Sequence, residues 1–268
     1  MSAQQPLAPD EPVHFSPRYL AASPPDLHRQ HLVAFAQDHA WPVAVYPYVV
    51  SATSPCERIT IRHSRAEEGR GPHLTITART GHGAPERWRA DVAGATPVEF
   101  LASLTETVAR GLEADADHLI YGIAGGTEPD MIELHVDERW ELADGLGLVG
   151  MQSVDGLAAM MGRPPGSDGP LLQGDEDIVW HIFAVTPELG PLWGISFTQE
   201  APPFVVNAVL NDTLSPEPLV RPAALAQHPD LAHLVTTRRI RPPSDRSPRS
   251  GPGLPPRTPG SAQQPHTR

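Results

Sequence analysis

Few side chains in this sequence have the types and spacing to do chemistry, and each such group has a plainer alternative. His28, His31 and His39 with Asp38 come nearest to a metal set. Residues three apart share a helix face, so His28 and His31 could present two imidazoles side by side. Asp38 and His39 are sequence neighbours, and no second compact cluster completes a coordination shell. The group therefore reads as a solvated or half-buried helix face, and no metal is expected. Cys56 lies in Ser54-Pro55-Cys56-Glu57, with Arg58, Arg62 and His63 downstream. A thiol becomes a nucleophile only where a base or a positive setting lowers its pKa, so a lone cysteine in a turn reads as inert. Gly122-Ile123-Ala124-Gly125-Gly126 lacks the Gly-Lys-Ser/Thr ending of a phosphate loop and the spacing of a dinucleotide turn. It reads as a connector. Gly174-Asp175-Glu176-Asp177 lacks the alternating oxygen ligands and terminal Glu of a calcium loop and reads as a solvated turn. No set of nucleophile, base and oxyanion donors emerges, and no cofactor is expected.

Composition narrows the function classes further. All 20 basic residues among the 268 are Arg, which fits a GC-rich genome alongside the abundant Ala, Pro and Gly. From Arg238 onward seven Arg stand against one Asp, whereas residues 1–237 hold 13 Arg against 31 acids. So acidic a body repels a phosphate backbone, and nucleic acid is expected to meet the Arg-rich tail only. A single cysteine excludes an internal disulfide and a cysteine-based zinc site. Residues 1–12 show no apolar signal region, and no stretch approaches the ~20 apolar residues of a membrane span. The expectation is a soluble, cytoplasmic protein without membrane contact.

The elements that must position these residues are announced by a repeat. Trp88 opens Trp-Arg-Ala-Asp-Val-Ala-Gly-Ala-Thr-Pro97, and Trp193 opens Trp-Gly-Ile-Ser-Phe-Thr-Gln-Glu-Ala-Pro202, 105 residues later. Trp41 and Trp140 match at a separation of 99. Six extra residues must lie between, and the loop Gly162–Pro170 is the expected host because loops accept insertions. In unit one, Leu27, His31 and Phe35 share a face and predict a helix over 27–38. Val43 to Ala52 reads as a strand that Pro47 marks as an edge or bulge. Arg58–Arg62, Leu74–Ala78 and Trp88–Val92 alternate as half-buried strands. Thr96-Pro97-Val98-Glu99 has the form of a capping box ahead of the apolar stripe Phe100, Leu101, Leu104, Val108 and Leu112. In unit two the repeat predicts a helix over 131–138, although Ile132, Leu134 and Val136 alternate like a strand. Strands follow over Leu146–Gln152, Leu157–Met161, Ile178–Val185 and Trp193–Phe197, then a helix over Pro202–Leu214 and a short one over Pro222–Gln227.

At Ser16-Pro17-Arg18-Tyr19-Leu20-Ala21, and again at Trp88 with Thr96-Pro97-Val98-Glu99-Phe100, the chain resembles the streptomycete and wider actinomycete proteins of domain of unknown function 317. The resemblance covers about 13–237 and implies a domain that is often duplicated, with some members in mobile or plasmid-linked neighbourhoods. It carries no activity and no catalytic residue. Ser-Pro-Cys-Glu stands where the family has Ser-Pro-Asp-Gly, and unit two keeps the Asp-Gly in Ser153-Val154-Asp155-Gly156. Ala201 and Phe204 replace the capping Thr and Glu, and unit two has no Ser-Pro-Arg-Tyr.

The expected fold is α+β: two tandem repeats, each an antiparallel four-stranded sheet with flanking helices, arranged about a pseudo-twofold. The expected boundaries are a disordered N-terminus over 1–12, unit one over 13–114, unit two over 115–237 and a disordered tail over 238–268. Arg18 and Tyr19, from the opening motif, and Trp180, which has no tryptophan counterpart in unit one, are the candidate binding residues. The leading function is a non-enzymatic binding or scaffold module that recognises a protein partner. The alternatives are a nucleic-acid-associated accessory protein acting through the tail and an enzyme with a site between the repeats.

Overall fold

The computed structural model describes residues 7–65, 73–122, 132, 134–143, 148–163, 171 and 177–240. Unit one begins with β1 (Pro12–Ser16), a 3-10 turn (Arg18–Leu20) and α1 (Pro25–Asp38). Then come β2 (Val43–Val45), β3 (Val49–Thr53), β4 (Ile59–Ser64), β5 (His73–Arg79), β6 (Glu86–Gly94) and α2 (Val98–Ala114). Unit two holds α3 (Ala116–Tyr121), β7 (Trp140–Leu142), β8 (Val149–Ser153), β9 (Ala158–Gly162), β10 (Ile178–Thr186), β11 (Gly190–Thr198) and α4 (Pro203–Leu214). The chain ends its described part with β12 (Leu219–Pro222), α5 (Ala223–Ala226) and β13 (Thr236–Arg239). No described helix is long and apolar enough to cross a membrane.

The fold is α+β with antiparallel sheets, but the expectation of two four-stranded sheets is corrected. One sheet of ten strands runs β2-β3-β4-β5-β6-β11-β10-β9-β8-β7, and a second of three runs β12-β1-β13. Pro47 does not bulge a single strand; it sits in the turn between β2 and β3, so unit one contributes five strands. The last strand of each unit would otherwise present an open edge, and β6 pairs with β11 to close both. The seam register sets Asp91 opposite Ser196, which are 105 residues apart like the paired tryptophans. Equivalent residues thus face one another, and a local twofold passes between them.

The same register refines the insertion. Ile59 matches Ala158 at a separation of 99, Ala78 matches Ala184 at 106, and Trp88 matches Trp193 at 105. The segment between β9 and β10 is therefore longer by one residue more than expected, and the β10–β11 hairpin is shorter by one. Both hairpins carry the same irregularity, between Ala78 and Arg79 and between Ala184 and Val185. Residues 164–170, the expected host, lie outside the described residues.

Alternation decides which face is dry. Ile59 and Ile61, Leu74, Ile76 and Ala78, Trp88, Ala90 and Val92, and Trp193, Ile195 and Phe197 are buried under α1, α2 and α4. Phe100, Leu101, Leu104 and Val108 supply the facing stripe of α2. Burying such a side chain is worth ~1.5–3 kcal/mol, so this one layer dominates the fold's stability.

Three local expectations fail for identifiable reasons. Residues 132 and 134–139 are not helical; the Asp137 carboxylate accepts from the Arg139 and Trp140 amides and turns the chain into β7 instead. The capping box does not form. The Thr96 hydroxyl donates to the Ala93 carbonyl, the Val98 amide donates to Ser23 Oγ, and Glu99 is turned to Arg221 at 2.6 and 2.7 Å. Arg238 and Arg239, expected to open the tail, belong to β13 and pair with His14 and Val13.

Candidate functional site

The face of the ten-stranded sheet turned away from α1, α2 and α4 holds a cleft of about 1070 Å³ that straddles the seam. Its floor follows from strand register. One row of cross-strand neighbours runs Arg62, Thr75, Asp91, Ser196, His181, Met161 over six strands from β4 to β9. The adjacent row runs Ser64, His73, Ala93, Gly194, Phe183. Because side chains alternate, the residues that put Ile61 and Ile76 in the core put Arg62 and Thr75 here.

The middle of the row is a closed polar network. His73 Nε2 and Thr75 Oγ1 donate to Asp91 Oδ1 at 2.9 and 3.0 Å, and Arg89 Nε donates to Oδ2 at 2.6 Å. These bonds and the Arg89 charge hold the Asp91 carboxyl below the usual carboxylate range, against the opposing effect of burial. Across the seam, Ser196 Oγ lies 2.9 Å from His181 Nδ1, and the His181 ring stacks on Phe183 at 5.0 Å. A Cβ on Gly194 would stand 2.7 Å from His181 Cε1, so the glycine is what lets the ring lie across β11. Burial pushes the His181 pKa down to about 4. A general base works best with a pKa near the operating pH, so this Ser–His pair suits hydrogen bonding better than proton transfer.

The two ends of the cleft differ. The unit-one end carries Arg62 and Arg65, both exposed, whose guanidinium groups make no hydrogen bond or ion pair with any described residue. The unit-two end is apolar, with Met161, Leu171, Phe183, Val185 and Leu192. The acid in the floor, Asp91, is taken up by His73, Thr75 and Arg89. In a chain whose residues 1–237 carry 31 acids against 13 Arg, Arg62 and Arg65 put two positive charges at one end of the cleft, opposite an apolar wall.

Arg18 and Tyr19 lie elsewhere, at a smaller cleft of about 410 Å³ that they line with Glu138, Arg139 and Trp140. Both are 8% exposed and both reach into unit two. Arg18 Nη2 donates to Asp212 at 3.3 Å, and its guanidinium lies over Phe100 at 5.4 Å. The Tyr19 hydroxyl donates to Asp155 at 2.6 Å, and burial, followed by that carboxylate, pushes the phenol pKa up. Trp180 is half-buried on the helix-covered face, where it pairs with Gly162 and Phe197 and occupies the space a Cβ on Gly162 would need. Unit one fills the matching positions with Leu74 opposite His63.

The histidines of α1 do not converge. His28 Nε2 donates to the Thr96 carbonyl at 2.6 Å, His31 Nε2 to Thr105 Oγ1 at 2.9 Å, and His39 meets Glu106 at 3.1 Å. Among the described residues no group of three or more His, Cys, Asp or Glu could hold a metal ion. Cys56 is exposed in its turn, 3.5 Å from Ser54 Oγ, while His63 lies at the far end of β4 opposite Val50. Of the glycine-rich connector, Gly122 is described and ends α3 in a left-handed conformation at φ 63°; residues 123–126 and 174–176 fall outside the described residues.

Sequence reasoning missed Arg62, Arg65, His73, His181 and Phe183 as a set. Alternation already placed Arg62 opposite in direction to Ile61; the meeting of both units on one face was not written in either. A family model described as SPDY, domain of unknown function (DUF317), matches residues 53–112 and 152–219, which take in β4 to α2 and β9 to α4. Comparison with curated proteins and with solved structures gave no match.

Proposed function

The chain belongs to the DUF317 family in duplicate, and from that premise we propose that it is a binding module that recognises a partner protein on its open sheet face. The observation that carries this reading is the cleft across the seam, with the Arg62 and Arg65 guanidinium groups at one end, without a partner among the described residues, and an apolar wall at the other. Clefts with an apolar body and a few directed polar groups are the usual places for ligands. The complementary ligand is an extended segment of a partner with apolar residues followed by acidic ones. Lying across the strands, it would put its carboxylates on the two guanidinium groups, which bind them bidentately.

The test is capture of the partner from the native host by the full chain, its identification, and a repeat with Arg62→Glu/Arg65→Glu and with Phe183→Asp. Both cleft variants should lose the partner, while Arg110→Glu, on the helix-covered side, should keep it. Retention by both cleft variants overturns the proposal. The seven Arg from 238 onward favour a second reading, contact with nucleic acid through the tail. Because Arg238 and Arg239 belong to β13, the truncation that tests it must fall after Ile240. Salt-sensitive DNA binding lost on that truncation supports the second reading; no binding by the full chain at low salt removes it.

A further inference from the structure

The two outer edges of the ten-stranded sheet, β2 and β7, are built differently. At the centre of β7 stands Glu141, bonded to Gln152 at 2.7 Å, with the Arg139–Asp137 ion pair beside it. Charges on an edge strand work against further pairing. β2 carries none. Val43, Ala44 and Val45 are all exposed, and Val43, Val45, Tyr46 and Tyr48 are 37%, 59%, 61% and 69% exposed.

The backbone of that edge has a definite polarity. Thr53 N–H donates to the Pro42 carbonyl at 3.0 Å, and Tyr46 N–H donates to the Val49 carbonyl at 2.8 Å. In an antiparallel ladder alternate residues face the partner, so Pro42, Ala44 and Tyr46 turn their peptide groups to β3. Val43 and Val45 turn theirs outward, with no strand among the described residues to receive them.

We propose that β2 pairs antiparallel with β2 of a second copy of this chain, about a twofold axis through Ala44. Val43 of each copy then exchanges both peptide hydrogen bonds with Val45 of the other. Ala44 faces its own mate in a non-hydrogen-bonded pair, with Cα atoms ~4.5 Å apart. Tyr46 comes opposite Pro42. A strand pairing with itself must match itself, and an uncharged edge does. The same operation on β7 would set Glu141 against Glu141, and like charges directly opposite are destabilising. Pairing β2 with β7 of another copy would not close and would build an open fibre. The chain already uses twofold strand pairing internally, where β6 meets β11 through Asp91 and Ser196.

The register is testable by cross-linking the full chain with Cys56→Ser as background. Ala44→Cys should give a disulfide-linked dimer on mild oxidation, and Val43→Cys should not. In sedimentation, the unaltered chain should be a dimer and Val45→Lys a monomer with an unchanged circular dichroism spectrum. Leu142→Lys, on β7, should remain a dimer. A monomer throughout the micromolar range with no Ala44→Cys cross-link overturns the proposal. So does a dimer that survives Val45→Lys or is broken by Leu142→Lys.

Discussion

The two repeats solve the same problems with different residues, and where they agree is informative. Trp88 of unit one donates its indole N–H to the Leu119 carbonyl at 2.8 Å, in the helix that opens unit two. Trp193 of unit two donates to the Tyr19 carbonyl at 2.7 Å, in the turn that opens unit one. Each unit's tryptophan thus fastens the other unit's opening. The seam register and the hairpin irregularity are also held in common. Positions that answer only to neighbours inside one unit have diverged in compensating pairs, as with His63–Leu74 against Gly162–Trp180. The turn after β3 shows the same freedom: Glu57 stands at φ 60°, where unit two has Gly156 at φ 73°. A contact that crosses the seam constrains two units at once, whereas a contact within one unit can be repacked locally.

The strongest way to break the equivalence is at Arg221, which braces unit one from β12 and has no counterpart. Its guanidinium donates to Glu99, to the Ala21 carbonyl and to Ser23 Oγ. These bonds hold the Glu99 carboxyl below the usual carboxylate range, although burial works the other way. Arg221→Leu should cost about 3 kcal/mol in chemical denaturation, the low end for a broken buried pair because Glu99 keeps 35% of its surface. An unchanged denaturation midpoint would show that the brace is dispensable.

Next in size are the tryptophans. Trp88→Phe and Trp193→Phe each leave a carbonyl without its donor and a space in the core, at a cost of ~2–3 kcal/mol. The two costs should match within ~1 kcal/mol, and each variant should still unfold in a single transition. Two separate transitions, or a large cost at one tryptophan only, would show that the fastening is not reciprocal.

Acid should weaken both units. Burial, as the largest cause, lowers both His63 and His181 from the ordinary 6.5 to about 4. Between those values the unfolded chain takes up protons that the folded chain refuses, so stability falls as pH drops from 6.5 toward 4. Asp91 and Glu99, with depressed values, add their loss as they protonate at lower pH still. His28 and His31, also lowered by burial, act in the same direction; the denaturation midpoint should therefore drop between pH 7 and pH 5, and His63→Met should lessen that drop by removing one of the four groups. A flat profile in the unaltered chain would contradict the burial of both rings.

The smallest effect sharpens the turn comparison. An L-residue in the left-handed region costs ~1–2 kcal/mol and glycine does not, so Glu57→Gly should raise stability by about 1 kcal/mol. Gly156→Glu should lower it by a similar amount. Near-zero changes at both sites would show that an L-residue in the left-handed region carries no strain in either turn.

Much of this architecture was legible. Alternation in Arg58–Arg62 and Leu74–Ala78 gives β4 and β5, and the apolar stripe from Phe100 to Leu112 gives α2 nearly to its ends. α3 was not anticipated, although Asp115 caps it through the His118 amide and Gly122 ends it. The capping motif at Thr96 was misleading because a helix end accepts any suitable partner. Here Ser23 and Arg221, distant in sequence, took the places of Thr96 and Glu99. Arg18 and Tyr19 stand out in the sequence as candidate binding residues, yet their bonds to Asp212 and Asp155 span 194 and 136 positions and no local pattern announces them.

The sequence by itself determined the repeat, its tryptophan spacing, the period of each element and hence which side chains share a face. These depend on distances along the chain, where side chains recur every two residues in a strand and every three or four in a helix. Only the tertiary structure decided that ten strands form one sheet, that Asp91 meets Ser196, and that Arg62 and Phe183 line the same cleft. Those outcomes rest on which edges find each other in space. Strand edges offer the same peptide groups whatever their side chains, so the choice is made by the closure of the whole fold.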